Sequence, residues 1–153
     1  MNATIRPALP EDRSRIEAIV DAAYSPYLQR MNRKPAPMVD DYARRIADGQ
    51  ALVLEAGGAV AGILVLEAHP DDHDGFLLLD NIAVDPAFHG RGLGKRLMAF
   101  TEEEARRQGY DTVVLYTNEV MVENIALYQR LGYVETERQQ VGGYDRVYLR
   151  KKI

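Results

Sequence analysis

Residues 76–94 read FLLLDNIAVDPAFHGRGLG, an apolar run that reaches a turn rich in glycine. The run predicts a strand over 76–84, and the apolar spacing that follows predicts a helix over 92–108. At a helix start, backbone N–H groups lack intrahelical partners, and together with the helix dipole they attract phosphate. Because glycine has no Cβ, a ligand can approach such a turn closely. The stretch therefore predicts a strand, a phosphate-binding turn and a helix.

The composition of the chain is ordinary for a globular protein. Its 153 residues are 46% hydrophobic and 27% charged, and this length suits one domain with a sizeable core. No apolar run reaches the roughly 18–20 residues of a membrane span, and the first residues lack the layout of a signal peptide. We therefore expect a single domain over residues 1–153, in the cytoplasm and without a membrane partner.

The net charge and the lack of cysteine exclude several classes of partner and of reactive site. The net charge of −4, without a basic stripe, disfavours nucleic acid as a partner. The absence of cysteine excludes disulfides, thiolate metal sites and a cysteine nucleophile. Three histidines, His69, His73 and His89, are too few and too irregularly spaced to predict a metal site.

Helix and strand signals follow one another along the chain without an internal repeat or a long linker. Apolar spacing and turn residues predict further strands over 4–6, 51–55, 60–68, 112–116, 133–140 and 144–150, further helices over 10–23, 38–48 and 122–131, and a proline-marked loop over 25–37. This mixed order favours an α/β sheet whose two faces are partly covered.

Spacing separates the glycine turn from two other phosphate-binding turns. A P-loop needs a glycine five positions before Gly94 and a serine or threonine after Lys95, but this chain has His89 and Arg96 there. A dinucleotide fingerprint needs its third glycine three positions after Gly92, and Gly94 comes one residue early. Neither of these two patterns describes the turn.

The order of residues 85–94 resembles the acetyl-CoA signature of the GNAT superfamily of N-acetyltransferases, in which Gln or Arg, two residues, Gly, one residue, and Gly or Ala begin a helix after the fourth strand. Residues 124–133 are similar to a second GNAT segment, which runs from an asparagine through a tyrosine to Gly-Phe, with Tyr133 for the final Phe. His89 departs from the usual Gln or Arg. The resemblance implies a mixed, mostly antiparallel sheet of six to seven strands flanked by about four helices.

The same resemblance implies how acetyl-CoA is held. Backbone N–H groups of the turn would bind the pyrophosphate, over His89, Gly90, Arg91, Gly92, Leu93, Gly94 and Lys95. Because a helix dipole contributes only ~0.3–1 kcal/mol to an exposed anion, several donors must act together. Arg91 and Lys95 add positive charge, whereas we interpret Arg96 as part of a solvated helix face. The pantetheine arm would pair with the backbone of Ile82, Ala83 and Val84 like an added strand.

Asn124 and Tyr128 lie four residues apart and therefore share one face of the helix predicted over 122–131. From the residues alone, Tyr128 is better explained as a core tyrosine whose hydroxyl is satisfied elsewhere. The resemblance implies that its phenol lies near the CoA sulfur as the general acid. With a pKa of ~10, above that of a thiol at ~8.5, a phenol is protonated at neutral pH and can supply a proton to the thiolate. Asn124 either orients the cofactor or caps the helix.

A primary amine acceptor also needs a base, because an amine with a pKa of ~10.4 is almost fully protonated at pH 7. Asp80 is the only ionisable residue among positions 78, 80, 82 and 84, which share the strand face that the resemblance turns toward the acyl group. Asp80 is thus our first candidate, with a structural acid bound to backbone as the alternative. Glu119 is the second candidate. Glu67, His69 and His73 follow, and for these three a surface role is favoured.

The resemblance implies that the loop over 25–37 and the helix after it form the acceptor wall. Tyr24, Tyr27, Arg30, Arg33 and Lys34 cluster in or beside that loop. An arginine there can bind a carboxylate of the acceptor with two hydrogen bonds, whereas we expect Lys34 to be solvated. We take Tyr27, Arg30, Arg33 and Glu119 as candidate substrate-binding residues.

The sequence thus predicts an N-acetyltransferase that moves acetyl from acetyl-CoA to a primary amine of a small molecule, an amino acid or a peptide, without a metal. Transfer would be direct in a ternary complex, since no cysteine can carry the acyl group. One alternative is an acyl-CoA-binding sensor or regulatory module without catalysis, and another is a structural partner whose turn binds nothing. The closing hairpin is a candidate surface for a homodimer.

Overall fold

Burial alternates along strand β4, Phe76–Val84, and so assigns its residues to two faces. Residues 77, 79, 81 and 83 are buried, whereas residues 76, 78, 80, 82 and 84 are half-buried. This is the period of two that a strand imposes on its side chains. In the computed structural model, which describes residues 2–71 and 75–153, Asp80 therefore shares its face with residues 78, 82 and 84, as the sequence predicts.

The described part of the chain contains seven strands and four α-helices, most of them within one or two residues of their predicted bounds. The strands are β1 (Ala3–Pro7), β2 (Ala51–Ala56), β3 (Ala59–His69), β4 (Phe76–Val84), β5 (Thr112–Asn118), β6 (Val134–Val141) and β7 (Tyr144–Lys152). The helices are α1 (Arg13–Tyr24), α2 (Tyr42–Ala47), α3 (Leu93–Arg107) and α4 (Val122–Arg130). Neither these helices nor any other in the described ranges is both long and apolar enough to cross a membrane.

The region between α1 and β2 departs most from the prediction. Part of the predicted loop forms a 3-10 helix over Ser25–Arg30. The helix predicted over 38–48 is divided into a 3-10 helix, Ala36–Val39, and the shorter α2. The division has a local cause, because Asp41 has extended backbone and its side chain accepts a hydrogen bond from the N–H of Arg44 at 3.1 Å. An aspartate in this capping position begins a new helix and interrupts the preceding one.

The strands form one mixed sheet in the order β1-β2-β3-β4-β5-β7-β6. Pairing is antiparallel between β1 and β2, β2 and β3, β5 and β7, and β7 and β6, whereas β4 and β5 are parallel. The parallel pairing joins Leu77–Leu79 to Val113–Leu115, although both strands continue beyond these residues. A mostly antiparallel sheet of seven strands with four helices confirms the predicted fold class.

Two compact units divide the chain. The first comprises the residues up to Leu66 together with Asn81–Phe100, and the second comprises Glu67–Asp80 together with Thr101–Ile153. In the first unit one apolar cluster joins α1 and α2 to β2 and β3, with Ala8, Ile16, Ile19, Val20, Tyr42, Ala51, Val53, Ile63, Val65 and Ala83 buried. In the second unit the large side chains that are almost fully buried are those of Leu77, Leu79, Leu115, Tyr133 and Leu149. The single domain inferred from chain length stays a prediction.

Gly62 allows β3 to pass close to its neighbours in the first unit. A Cβ at this position would lie 3.2 Å from the carbonyl oxygen of Ala83 and 3.2 Å from Cδ1 of Leu97. Both distances are shorter than ordinary van der Waals contacts between carbon and its neighbours. The missing side chain thus fixes the spacing of β3 from the end of β4 and from α3, the two elements that flank the glycine turn.

Candidate active site

The glycine turn lies in the first unit, between a 3-10 turn and helix α3. Gly90 and Gly92 have φ angles of 81° and 73°, in the left-handed region that glycine adopts at little cost. Helix α3 begins at Leu93, and a backbone hydrogen bond of 3.1 Å joins the N–H of Arg96 to the carbonyl of Gly92. The N–H groups of residues 93–95 therefore precede the hydrogen-bonded ladder of the helix.

Open space surrounds the glycines of this turn. A Cβ built on Gly90, Gly92 or Gly94 would meet no heavy atom within 4 Å. Gly94 is already helical and has no left-handed φ, so neither strain nor packing within the chain requires glycine there. Close approach of a ligand to the backbone is the remaining physical reason for a glycine at this position.

Side chains around the turn are mostly exposed. His89, Arg91 and Lys95 are exposed, and the Arg91 guanidinium lies 5.0 Å from the ring centroid of Phe88. Arg96 is exposed as well, and its Nη2 donates a 2.7 Å hydrogen bond to the carbonyl of Ala3 in β1. Arg96 thus has a structural contact in addition to the solvated position that the sequence predicts for it.

Asp85 anchors the segment that leads into the turn. Its Oδ1 accepts a hydrogen bond from the N–H of Ala87 at 3.0 Å, and its Oδ2 accepts one from Nη2 of Arg15 at 2.5 Å. These two contacts, the backbone bond first, hold the pKa of Asp85 below its usual value. The backbone N–H of Asp85 also donates to the carbonyl of Ala61 at 2.8 Å. An ionised carboxylate therefore ties the start of the turn to α1, while the backbone ties it to β3.

A buried polar network connects β4 to the predicted acceptor loop. Asn81 is 2% exposed, and its Oδ1 accepts a 2.7 Å hydrogen bond from the hydroxyl of Tyr24. Its Nδ2 donates to the hydroxyl of Tyr42 at 3.0 Å, and that hydroxyl donates to the carbonyl of Pro37 at 2.5 Å. The Tyr24 hydroxyl also lies 3.3 Å from the carbonyl oxygen of Ile82. The hydroxyls of Tyr24 and Tyr42, which lie on either side of the loop over 25–37, are thus both bonded to the side-chain amide of Asn81.

The acceptor cluster predicted from sequence is partly assembled. The rings of Tyr24 and Tyr27 have centroids 6.3 Å apart, and the Arg30 guanidinium lies 5.3 Å from the Tyr27 centroid. Arg33 and Lys34 are exposed on the segment that follows the first 3-10 helix of this region. Tyr24 is predicted from the sequence to lie in the acceptor wall, and its hydroxyl bonds to Asn81 of β4.

In the second unit, Asp80 has a side-chain partner on the neighbouring strand. The parallel register pairs Leu78 with Val114, so that Asp80 and Tyr116 follow two residues later on the same face. The hydroxyl of Tyr116 donates a 2.7 Å hydrogen bond to Oδ1 of Asp80. Asp80 is thus oriented by a phenol, a contact that the sequence does not indicate.

Arg146, on β7, covers the other side of this tyrosine. Its guanidinium lies 3.9 Å from the ring centroid of Tyr116, and its Nη1 donates to the hydroxyl of Tyr148 at 3.1 Å. Burial alone would lower the pKa of Arg146, but the bond to Tyr148 and the nearby groups of Tyr116, Tyr148 and Asp80 raise it above its usual value. Sequence reasoning did not select Arg146, because only the strand order brings β7 beside β5.

Tyr128 is 8% exposed on α4 and packs beside a second tyrosine. The rings of Tyr128 and Tyr133 meet edge to face with centroids 6.4 Å apart, and the carbonyl of Tyr128 accepts the N–H of Tyr133 at 3.0 Å. The Tyr133 hydroxyl donates to Oε2 of Glu102 at 3.1 Å. Burial, followed by the charge of Glu102, raises the pKa of Tyr133. Glu102 therefore accommodates a tyrosine where the family segment has phenylalanine.

Asn124 does not cap helix α4. The helix begins at Val122 with Met121 in the capping position, and no side chain forms a cap there. The Nδ2 of Asn124 lies 3.8 Å from Sδ of Met121, and its backbone N–H donates to the Met121 carbonyl. The capping alternative is wrong because Asn124 is the third residue of the helix, while the cofactor alternative stays a prediction.

Glu119 lies on the turn after β5 and is exposed. Its carboxylate is 3.9 Å from Nη1 of Arg138, and its N–H donates to the carbonyl of Asp145 at 3.0 Å. The structure therefore places it beside the β6–β7 hairpin. A role for Glu119 with the substrate stays a prediction.

The remaining candidate bases lie at the end of β3. Nε2 of His69 is 3.1 Å from Oε1 of Glu67 but lacks hydrogen-bond geometry, and the His69 ring stacks on Phe76 with centroids 4.7 Å apart. His73 lies outside the described residues. Over residues 2–71 and 75–153, no group of three or more histidine, aspartate or glutamate residues is placed to hold a metal ion.

Comparisons with known proteins agree with this architecture. A family model described as the acetyltransferase (GNAT) family matches residues 16–133. N-acetyltransferase family 8 member 2 of Rattus norvegicus is 35% identical over 92 residues, which are 59% of this chain and 41% of that protein. The uncharacterized N-acetyltransferase YvbK of Bacillus subtilis is 31% identical over 97 residues, which are 63% of this chain and 58% of that protein. The chain thus aligns with about half the length of these two relatives.

Among solved structures, the PaiA N-acetyltransferase of Thermoplasma acidophilum, in complex with coenzyme A, shares the fold. Its TM-score is 0.79, with 16% sequence identity and complete coverage of both chains. At this identity the likeness concerns the fold alone.

We predict that Gly94→Ala separates stability from ligand binding. Outside its own helix, the added methyl group meets no atom of the described residues within 4 Å, so stability should stay unchanged or rise by up to about 1 kcal/mol. The same methyl group would occupy the space that a phosphate needs, so the affinity for coenzyme A should fall by at least about tenfold.

Thermal unfolding and calorimetric titration with coenzyme A would measure the two quantities. Ala99→Ser, at an exposed position of the same helix, is the matched control and should change neither. Unchanged affinity in Gly94→Ala would show that no ligand approaches the turn.

Proposed function

We propose that this chain, which belongs to the GNAT family of acetyltransferases, transfers an acetyl group from acetyl-CoA to a primary amine. The observation that carries the proposal is the open glycine turn at the start of α3, since neither a left-handed φ nor a contact among the described residues requires glycine at position 94. The family match spans this turn and the segment that contains Asn124 and Tyr128. Localisation in the cytoplasm and formation of a homodimer stay predictions.

The turn would hold the pyrophosphate through the N–H groups that precede the helical ladder, with Arg91 and Lys95 adding positive charge. His89 would contribute its backbone, because its side chain is exposed and differs from the usual family residue. Asp85 keeps the entrance to the turn in place, so the donors would be arranged before the ligand arrives.

The end of β4 supports the proposed pantetheine contact. Pairing between β4 and β5 stops at Leu79 and Leu115, before Ile82, Ala83 and Val84 are reached. A main chain beyond its paired region can accept an added strand-like partner. The Ile82 carbonyl, which already lies near the Tyr24 hydroxyl, still has a second lone pair for such a contact.

The chemistry requires that sulfur gain one proton and that the acceptor nitrogen, an ammonium at pH 7, lose two, the first before attack and the second to solvent afterwards. The chain offers a residue for the proton that sulfur gains and for the first that nitrogen loses. The amine nitrogen would form a bond to the thioester carbonyl carbon, and the carbon–sulfur bond would then break. Tyr128 would donate its phenolic proton to the departing sulfur. Asp80, oriented by the Tyr116 hydroxyl, would accept a proton of the acceptor nitrogen directly or through a water molecule. With no cysteine in the chain, transfer would occur in one ternary complex.

A sensor that binds acyl-CoA without catalysis is the alternative function. The turn would serve both functions equally, but a sensor has no use for a carboxylate oriented by a phenol on the neighbouring strand. Asn124 has a packing role against Met121 in either case.

We predict that acetyl-CoA stabilises the folded chain and that the chain transfers the acetyl group to a primary amine, releasing free CoA. Ligand at 100 times its dissociation constant adds about 2.7 kcal/mol to the free energy of unfolding. Thermal unfolding with acetyl-CoA and release of free CoA over a panel of amines would test both parts. Stabilisation without turnover supports the sensor, whereas no stabilisation at millimolar acetyl-CoA contradicts the binding proposal itself.

We predict that Tyr128→Phe lowers kcat by about 10²–10⁴-fold, because the departing thiolate loses its proton donor. The affinity for acetyl-CoA should change little, since the ring keeps its edge contact with Tyr133. Steady-state kinetics and titration with acetyl-CoA would separate the two effects.

Tyr133→Phe is the matched control for this variant. It removes a buried hydroxyl that bonds to Glu102, so it should cost about 0.5–1.5 kcal/mol of stability with turnover within a few-fold of normal. Full turnover in Tyr128→Phe would remove the general-acid assignment.

We predict that Asp80→Asn lowers kcat/KM by about 10²–10⁴-fold at pH 7, because the amide can still accept the Tyr116 bond but cannot take a proton. The loss should shrink as the pH rises toward the pKa of the amine, since the acceptor then deprotonates in water. A pH–rate profile measures this change. Tyr116→Phe keeps the carboxylate and should cost less, and a profile of Asp80→Asn that matched the parent would exclude Asp80 as the base.

A further inference from the structure

Arg146 differs from the other partly buried arginines of the described residues. Arg6 lies 2.8 Å from Asp12, Arg15 lies 2.5 Å from Asp85, and Arg45 lies 3.0 Å from Asp40. The partner of Arg146, by contrast, is the neutral hydroxyl of Tyr148, and no described carboxylate lies within ion-pair distance of it.

The guanidinium of Arg146 also has an unsatisfied donor. Its Nε is buried and has no hydrogen-bond partner among the described residues. A guanidinium carries five N–H donors and is always charged, so burial without a matching anion is unfavourable. Buried polar groups are otherwise almost always paired in proteins. An anion supplied from outside the chain would match the charge, and it would reach the buried Nε only if the guanidinium turned.

Asp80 and Arg146 contact the same tyrosine. The Tyr116 hydroxyl bonds to Asp80, and its ring stacks beneath the guanidinium. A negative group and a positive group are thus separated by one phenol on one face of the second unit. A molecule with an ammonium group and a nearby carboxylate would present the complementary pair of charges.

We propose that Arg146 binds a carboxylate of the amine acceptor, so that the acceptors of this chain are amino acids and related amines whose carboxylate lies a few bonds from the amino group. This inference rests on the proposed acetyltransferase function and names its substrate class. Arginine suits the task because its planar edge binds a carboxylate with two parallel hydrogen bonds. For Nε to bind the carboxylate, the guanidinium must rotate while it stays stacked on Tyr116. The other N–H groups belong to the same cation and can bind the carboxylate as well.

The loop arginines that the sequence favours for a carboxylate have other surroundings. Arg30 is exposed and lies over the ring of Tyr27, and Arg33 is exposed as well. Arg150 shares the face of Arg146 on β7, but it is exposed, with its guanidinium 5.7 Å from the centroid of Phe76. Arg150 therefore provides a matched control on the same strand.

The test compares acceptors that differ only in the carboxylate, such as L-alanine and L-alaninamide, in the parent chain and in Arg146→Gln. We expect the parent to prefer the acid by at least about tenfold in kcat/KM after correction for amine ionisation. Arg146→Gln should abolish this preference through a higher KM for the acid, with the amide little changed. Arg146→Lys should restore part of the preference, and Arg150→Gln should keep all of it.

Two results would overturn the inference: equal use of acid and amide by the parent, or a preference that survives in Arg146→Gln. Either leaves the proposed acetyltransferase function intact, because amides are still acetylated. If no acceptor is acetylated, the proposed function fails. Calorimetric titration of the parent and of Arg146→Gln with N-acetyl-L-alanine and with its amide then tests whether Arg146 binds a carboxylate. Arg146→Gln loses the bond to Tyr148 and the stack on Tyr116, so its melting temperature should fall. If that variant does not fold, Arg146→Lys keeps the charge: a weakened preference for the acid in it supports the inference, and an undiminished preference contradicts it.

Discussion

The two-residue period of β4 constrains the candidate site more than any other feature. Because successive side chains point to opposite faces, the strand that supplies Leu77, Leu79 and Ala83 to the core must present Asp80 on its other face. The same period buries Asn81, whose amide would be costly without partners. The hydroxyls of Tyr24 and Tyr42 meet that requirement and thereby fix the segment between α1 and α2 to the strand.

The glycine turn follows from a second constraint, the unpaired donors at a helix start. Helix α3 could begin with ordinary residues, yet Gly94 stands in its first turn with open space around it. Asp85 holds the preceding segment to Arg15 and to the backbone of β3. The chain therefore builds a rigid support for a turn whose own surface is left bare, which suits a ligand that contacts main chain.

Much of this arrangement could be predicted from the sequence, and the remainder depends on contacts between distant residues. The bounds of β4 and α3 were predictable because apolar period and turn residues are local signals. The pair of Asp80 and Tyr116, and the stack of Arg146 on that tyrosine, required the strand order β4-β5-β7, which no local pattern encodes. The division of the predicted helix over 38–48 was missed because Asp41 acts as a cap only in its folded backbone conformation.

The distribution of aromatic residues gives the chain a built-in optical reporter. It contains nine tyrosines and no tryptophan, so its near-ultraviolet absorption and fluorescence come mainly from tyrosine. Tyr116 and Tyr148 lie in contact with Arg146, Tyr128 and Tyr133 pack edge to face, and Tyr24 bonds to β4. The near-ultraviolet circular dichroism of the protein therefore comes mainly from its tyrosines, several of which are held by these contacts. A change in this signal on addition of acetyl-CoA would report binding beside them without any introduced label.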